Sequence, residues 1–297
     1  EKGTEVVVDW EDDTSVRMSA AQLYDLVFEG NNKWMLSANG TIFTYEYEAI
    51  IPGLLKRWYE ERQEMQRKMR ECGDNEIERE YWDKRQLVKK INLNSLYGAI
   101  LNPGCRFFDM RIGQSVTLTG RCITKHMASK VNEIVTGEYD HKGESIVYGD
   151  TDSVYFSAYK TLQKEIKDGL IPWTKDSVVG LYDKISEEVN SSFKSFMTKA
   201  FHTPTTRGEV IAAGRELVAS KGLFITKKRY AVLYYDKEGK RTDVEGKEGK
   251  MKAMGLDLKR SDTPVFVQDF LSEILYMVLS GKEEKEVLDR ISEFRAE

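Results

Sequence analysis

The sequence predicts a mixed α/β (α+β) fold in which an antiparallel sheet is backed by helices, with a long helical hairpin besides. Three observations carry this. Residues 51–71 and 76–100 are two charged stretches of helical period, interrupted at Cys72-Gly73-Asp74-Asn75. Two short β-prone runs, 144–147 and 154–157, flank Tyr148-Gly149-Asp150-Thr151-Asp152-Ser153, the pattern of a β-hairpin with its bend at the Gly-Asp-Thr-Asp. Apolar residues recur at 178, 182, 185, 189, 193 and 196 ahead of two β-prone segments, as in an amphipathic helix packed beneath a sheet.

In chain order, residues 1–48 combine the β-prone Val6-Val7-Val8, a predicted helix over 20–29, an Asn39-Gly40 turn and the β-prone run 41–45. From Ile51-Pro52 onward, Leu54, Leu55, Trp58, Met65 and Met69 recur at helical intervals, and Pro52 suits a first turn. This helix and the next form an antiparallel hairpin with arms of about 30 Å at 1.5 Å per residue. Asn102-Pro103-Gly104 is a loop, and a helix follows over 113–135. Beyond the helix over 175–200, β-prone segments cover 209–219 and 223–236, then a turn at 237–240 and helices over 264–279 and 283–297.

At 297 residues and 40% hydrophobic content the chain can bury a sizeable core, and more than one domain is expected. No apolar run approaches the roughly 18 residues of a membrane span and no secretory leader opens the sequence, so neither a membrane protein nor a secreted one is expected. Cys72, Cys105 and Cys122 have no zinc-like spacing, and His126, His141 and His202 form no cluster. A reduced, intracellular protein is expected rather than a secreted one. The chain opens Glu1-Lys2-Gly3 without Met and is expected to be an excerpt of something longer. Its net charge of −4 conceals a bias: residues 227–260 hold eleven Lys/Arg against six Asp/Glu. Such a stretch can track a phosphate backbone, or can be solvated surface.

Asp150 and Asp152, two apart, project to one side if strand geometry runs through both. Carboxylates this close repel unless a multivalent cation lies between them, and hard oxygen donors suit Mg²⁺, which also binds phosphate. An ordinary polar turn uses the same residues. An EF-hand is excluded because its sixth and twelfth positions, Gly and Glu, are Tyr155 and Thr161 here. On the second arm of the helical hairpin, Lys90, Asn94 and Tyr97 fall within about 60° of one another, a cation, an amide and a ring along one stripe. Antiparallel packing sets Arg62 of the first arm roughly 7 Å from Lys90 along the axis, within reach of one polyphosphate.

Lys90-x-x-x-Asn94-Ser95-Leu96-Tyr97-Gly98, then Tyr148-Gly149-Asp150-Thr151-Asp152-Ser153, then Lys227-Lys228-Arg229-Tyr230, in this order, resemble the core of family B DNA polymerases, the T-even bacteriophage branch in particular. Phe107-Phe108-Asp109-Met110-Arg111, Met254-Gly255-Leu256 and Ser261-Asp262-Thr263-Pro264 resemble neighbouring text of that branch. The resemblance covers roughly residues 40 to 290. It implies a palm-associated segment at 1–48, a fingers hairpin at 49–102, a polymerase palm at 103–251 and the start of a thumb at 252–297. It implies Asp150 and Asp152 as catalytic and metal-binding aspartates, with Glu216 a further acid beside two Mg²⁺ ions, Mn²⁺ being an alternative. Arg62, Lys90, Asn94, Tyr97 and Gly98 are the implied nucleotide-binding residues, and Lys227, Lys228, Arg229 and Tyr230 the implied DNA-binding segment.

Primer-template DNA, a dNTP and a sliding clamp are the implied partners, with no membrane and, for a phage-encoded chain, the host-cell cytoplasm as location. The family's first metal-binding motif, Asp-x-x-Ser-Leu-Tyr-Pro-Ser, is absent, and nothing resembles an exonuclease domain. Gln66 stands where a second fingers lysine is expected, leaving Arg67 or Lys68 to serve. The isolated chain is therefore expected to be inactive, needing a missing N-terminal polymerase/exonuclease segment or a second chain. The alternative is a non-catalytic nucleic-acid-binding part of a split polymerase. A reverse transcriptase fits less well, because its two aspartates are adjacent.

Overall fold

A computed structural model of the chain describes residues 3–30, 32–244 and 246–296; Glu297, the end of the last predicted helix, lies outside them. The chain divides into two units, Glu1–Ile123 with Ser195–Glu209, and Thr124–Lys194 with Val210–Glu297.

The first unit begins with strands β1 (Glu5–Asp9) and β2 (Ser15–Ser19), which pair antiparallel with Val8 opposite Val16. Ser19 then opens helix α1 (Ala20–Tyr24) through a reciprocal capping box with Gln22. The predicted helix over 20–29 forms, but Asp25–Glu29 winds as a π-helix. Strands β3 (Trp34–Leu36) and β4 (Ile42–Thr44) pair across the Asn39-Gly40 turn.

Helices α2 (Ile50–Glu71) and α3 (Glu76–Ile100) form the predicted antiparallel hairpin, with Asn75 capping the second arm. No residue of α2 is fully buried. The arms are joined instead by amphipathic contacts: Lys68 lies 4.6 Å from the Trp82 ring centre, Lys89 lies 5.7 Å from that of Trp58, and Lys89 also pairs with Glu61.

Helix α4 (Met110–Thr136) starts three residues before the predicted position. The cause is Asp109, whose carboxylate accepts the Arg111 N–H at 2.8 Å and whose carbonyl accepts the Gly113 N–H at 3.2 Å, nucleating the turn early. The Arg111 guanidinium holds the Asp109 carboxyl below its usual range.

In the second unit, β5 (Ile146–Asp150) and β6 (Ser153–Phe156) form the predicted hairpin. Helix α5 (Gln163–Lys167) follows, and α6 (Lys175–Phe201) buries Val178, Ile185, Val189 and Phe193, the stripe read from the sequence. Helix α7 (Thr205–Gly208) belongs to the first unit, and the second resumes with β7 (Leu217–Thr226), β8 (Arg229–Lys237), β9 (Lys240–Arg241) and β10 (Lys250–Met254). They form one antiparallel sheet of order β10-β8-β7, with β9 also on β8, so that β10 runs across the expected palm–thumb boundary at 251/252.

The central strand β8 is covered on both faces: Tyr235 packs with Val178 of α6, while Ala231 and Leu233 pack with Leu275 and Leu279 of α8 (Val265–Ser280). A register irregularity between Val218 and Ala219 interrupts the two-residue alternation between these contacts. Helix α9 (Glu284–Ala296) stacks Phe294 on Phe270 of α8 at 3.7 Å between ring centres.

Two β assignments are corrected. Residues 209–216 are not strand, because Asn190 of α6 clamps Ala213 at both backbone groups, donating to its carbonyl at 2.6 Å and accepting its N–H at 2.7 Å. A backbone satisfied this way has no ladder to join. The segment 223–236 is also not continuous: Lys227-Lys228 is the turn between β7 and β8, with Lys228 at φ +63°.

His126 on α4 is buried, its ring nitrogens 2.7 Å from the Tyr139 hydroxyl and 2.9 Å from the Ser192 hydroxyl. Burial first, then Lys130, lowers its pKa below 6.5. The unfolded chain therefore takes up a proton that the folded chain resists, so stability is full above about pH 6.5 and falls as pH drops through this range, by up to about 1.4 kcal/mol per pH unit. Thermal melts between pH 7.5 and 5 should show this loss in the wild type, and His126→Asn should flatten it.

Candidate functional site

Strand β5 ends at Asp150, and the turn beyond it is tight. The Asp152 N–H donates to the Asp150 carbonyl at 2.7 Å, which leaves Thr151 at φ +55°, a left-handed conformation that a β-branched residue rarely adopts. The Thr124 hydroxyl of α4 holds this turn by donating to the Thr151 carbonyl at 2.7 Å. Strand alternation thus does not run through Asp152, and the expectation that alternation alone aligns the two carboxylates is corrected. The bond to Thr124 and the strain at Thr151 set their directions instead.

Asp152 lines a cavity of about 330 Å³ together with Ser153, Glu216 and Lys252. Among the described residues its carboxylate makes no ion pair, whereas Glu216, one residue before β7, pairs with Lys252 of β10 at 2.8 Å. Carboxylates suit a hard divalent cation in kind. Among the described residues no group of three or more His, Cys, Asp or Glu is gathered to hold a metal, and Mg²⁺ is commonly held by one or two carboxylates with water and phosphate oxygens completing its shell.

Above the same hairpin sits the basic turn. The Tyr148 hydroxyl of β5 accepts the Lys228 N–H at 2.7 Å, joining two motifs eighty residues apart. Lys227, Lys228 and Arg229 are exposed, and Arg229 donates to the Gly255 carbonyl at 3.2 Å. Gly255 has φ +63°, and a Cβ there would lie 2.1 Å from the Lys228 carbonyl, so Met254-Gly255-Leu256 must keep its glycine to let the turn pass. Tyr230, grouped with the DNA-facing residues in the sequence reading, is only 7% exposed. Its ring stacks on Phe224 and packs against Tyr148 and Tyr155, supporting the turn from below. Burial, followed by the Tyr230 hydroxyl, pushes the Tyr155 phenol up.

On the α2–α3 hairpin of the first unit, Arg62 donates to Gln86 at 3.2 Å. Gln86 stands one turn before Lys90 on α3, about 6 Å along the axis, so Arg62 reaches α3 one turn away from Lys90. Lys90 and Asn94 are exposed and, among the described residues, have no bonded partner, while neighbouring Lys89 is committed to Glu61 and Trp58. Tyr97 is half-buried and donates to the Gly113 carbonyl at 3.3 Å. A Cβ at Gly98 would meet nothing within 4 Å, so no contact within the chain requires glycine in this helix. Arg67 pairs with Glu64 and Glu71, and Lys68 lies over the Trp82 ring, beside the Gln66 position.

Sequence reasoning missed Lys252, Thr124 and the role of Tyr148. Nothing local distinguishes Lys252 from the other lysines of the basic stretch.

The family model described as DNA polymerase family B matches residues 11–296. The DNA-directed DNA polymerase of Escherichia phage RB69 is 33% identical over 210 residues, 67% of this chain and 22% of that protein. That of Enterobacteria phage T4 is 31% identical over 211 residues, 67% of this chain and 23% of that protein. DNA polymerase 1 of Pyrococcus abyssi (strain GE5 / Orsay) is 25% identical over 262 residues, 86% of this chain and 28% of that protein. The chain thus spans about a quarter of the length of the curated relatives it matches.

Proposed function

Because the chain belongs to DNA polymerase family B, we propose that it forms the fingers, most of the palm and the start of the thumb of a template-directed DNA polymerase, which transfers a nucleotide from a dNTP to a primer 3′-hydroxyl. The observation that carries this is the bond from Lys228 to Tyr148. It puts a turn of exposed cations, suited to a primer backbone, on the hairpin that bears Asp150 and Asp152.

In this reading Asp150 and Asp152 would hold the divalent cations, Mg²⁺ or Mn²⁺, with Glu216 nearby once released from Lys252. When bound, the ions would supply the charge that activates the 3′-hydroxyl and offsets the departing pyrophosphate. The chain's own residues position the reactants. Lys90 and Arg62 grip the triphosphate with Asn94 beside it, and Gly98 leaves flat room over Tyr97 for the new base pair. Lys227, Lys228 and Arg229 hold the primer strand. A segment or second chain that adds the missing carboxylate completes the catalyst, and a sliding clamp is a further partner of such an assembly. The pairing of Glu216 with Lys252 favours a second reading, in which this chain alone binds DNA without catalysing synthesis.

Two measurements test the first reading. In the completed polymerase Lys90→Ala should raise the dNTP KM or lower kcat by a factor equivalent to about 1.5–3 kcal/mol, with primer-template affinity little changed. Unchanged nucleotide kinetics would reduce Lys90 to helix surface. Neutralising Lys227, Lys228 or Arg229 should weaken primer-template binding equally across sequences and lower the salt slope by about 0.9 per lost contact. A base-specific loss would count against backbone contact.

A further inference from the structure

We propose that Tyr148 is a positioning residue for the basic turn: its hydroxyl fixes the peptide group that joins Lys227 to Lys228, and so sets where these cations stand relative to Asp150-Thr151-Asp152. The inference rests on the reading of Lys227 and Lys228 as primer-strand contacts.

The turn is poorly suited to hold itself. Two-residue hairpin turns favour Gly or Asn where φ is positive, and here Lys228 occupies φ +63°. The pairing of β7 with β8 also shifts register between Phe224 and Thr226, so a single pair beyond the irregularity, Thr226 opposite Arg229, closes the turn from the strands. Both lysine side chains are exposed, and among the described residues neither has a hydrogen-bond or ion-pair partner. What holds the turn is its backbone. The Lys228 N–H is taken by Tyr148 at 2.7 Å, and the Lys228 carbonyl stands against Gly255, where a Cβ would come within 2.1 Å.

Tyr148 is well placed to hold it. The phenol belongs to β5, two residues before Asp150. Its ring is walled in by three others, with centroids 5.7 Å from Phe224, 5.4 Å from Tyr230 and 6.4 Å from Tyr155. A ring packed on several sides has little freedom to swing, so its hydroxyl is a fixed point on the strand that carries the first aspartate. One oxygen therefore links the element meant to hold the primer with the element meant to act on its end.

This predicts an effect that charge removal does not produce. If the hydroxyl is lost and the ring kept, both cations remain but the turn relaxes away from its left-handed shape. Affinity should fall while the number of phosphates neutralised, and hence the salt slope, stays the same. Lys228→Ala should lower both.

The test uses the full chain with Tyr148→Phe. The readouts are exchange of the Lys228 amide by NMR and primer-template binding by fluorescence anisotropy between 50 and 200 mM salt. The expected result is amide exchange about 10-fold faster, a Kd raised about fivefold and an unchanged slope. Unchanged amide exchange would overturn the proposal, because the hydroxyl would then not hold the turn. Faster exchange with an unchanged Kd would also overturn it, yet leave the primer-strand reading intact if Lys228→Ala still weakens binding. Wild-type chain that does not bind primer-template would sink that reading, and the proposal with it. If Tyr148→Phe itself lowers Tm, the comparison moves to a Lys228→Gly background, where glycine adopts the positive φ unaided. Adding Tyr148→Phe should then leave the Kd unchanged, and a further rise would overturn the proposal.

Discussion

Asp152→Ala, in a protein where the chain is joined to the segment that supplies the missing carboxylate, is expected to abolish primer extension, a loss of about 10³-fold or more, or ~4 kcal/mol. The fold should survive, because the Asp152 carboxylate is exposed and makes no ion pair among the described residues. Only its backbone N–H, bonded to the Asp150 carbonyl, shapes the turn, and alanine keeps that group. Equal melting temperatures beside lost extension would separate chemistry from structure. The same protein should bind primer-template as before, since the cations at 227–229 are untouched. The 297-residue chain alone should not extend a primer. A two-metal site spans about 3.5–4 Å and needs bridging oxygens from a second element. Robust extension by the purified chain would instead mean that Glu216, or an acid in residues 1–48, completes the shell.

Arg215→Ala is expected to cause the largest loss of stability. Arg215 is 11% exposed and bridges Asp183 of α6 to Asp236 of β8, the latter at 2.6 Å and itself 3% exposed. Burial alone would lower the pKa of this guanidinium, but Asp183 and Asp236 together raise it. Removing the cation leaves Asp236 buried with little beyond the Gly239 N–H for a partner. Truncating one side of such a pair costs about 3–5 kcal/mol, because the remaining charge is uncompensated. Urea unfolding should show the shift, and Asp236→Asn in the same background should recover part of it. A loss below about 1 kcal/mol would mean that water reaches Asp236 once the arginine is gone.

The helices were legible in the sequence because helical amphipathicity is a local signal. The 3.6-residue recurrence at 178, 185, 189 and 193 became the buried stripe of α6, and the break at Cys72-Gly73-Asp74-Asn75 separates α2 from α3. The motifs also led to the family, which the match over residues 11–296 then showed. Local reasoning failed where a distant side chain competes for the backbone. Residues 209–216 read as strand, but the Asn190 amide, some twenty residues earlier, satisfies Ala213 and leaves the segment out of the sheet. Asp109 likewise starts α4 early by a capping bond that the periodicity of 113–135 does not contain.

By itself the sequence determined the helices, the hairpin over 146–156 and the motifs that point to the family which the match over residues 11–296 shows. Only the tertiary structure decided that Asp152 lies in a strained turn held by Thr124, that Glu216 is paired with Lys252, that Tyr230 is buried, and that Tyr148 holds Lys228. The physical reason is range. Periodicity and turn chemistry are set within a few residues, whereas a hydrogen bond between residues 148 and 228 exists only after two hairpins have packed through a shared aromatic cluster.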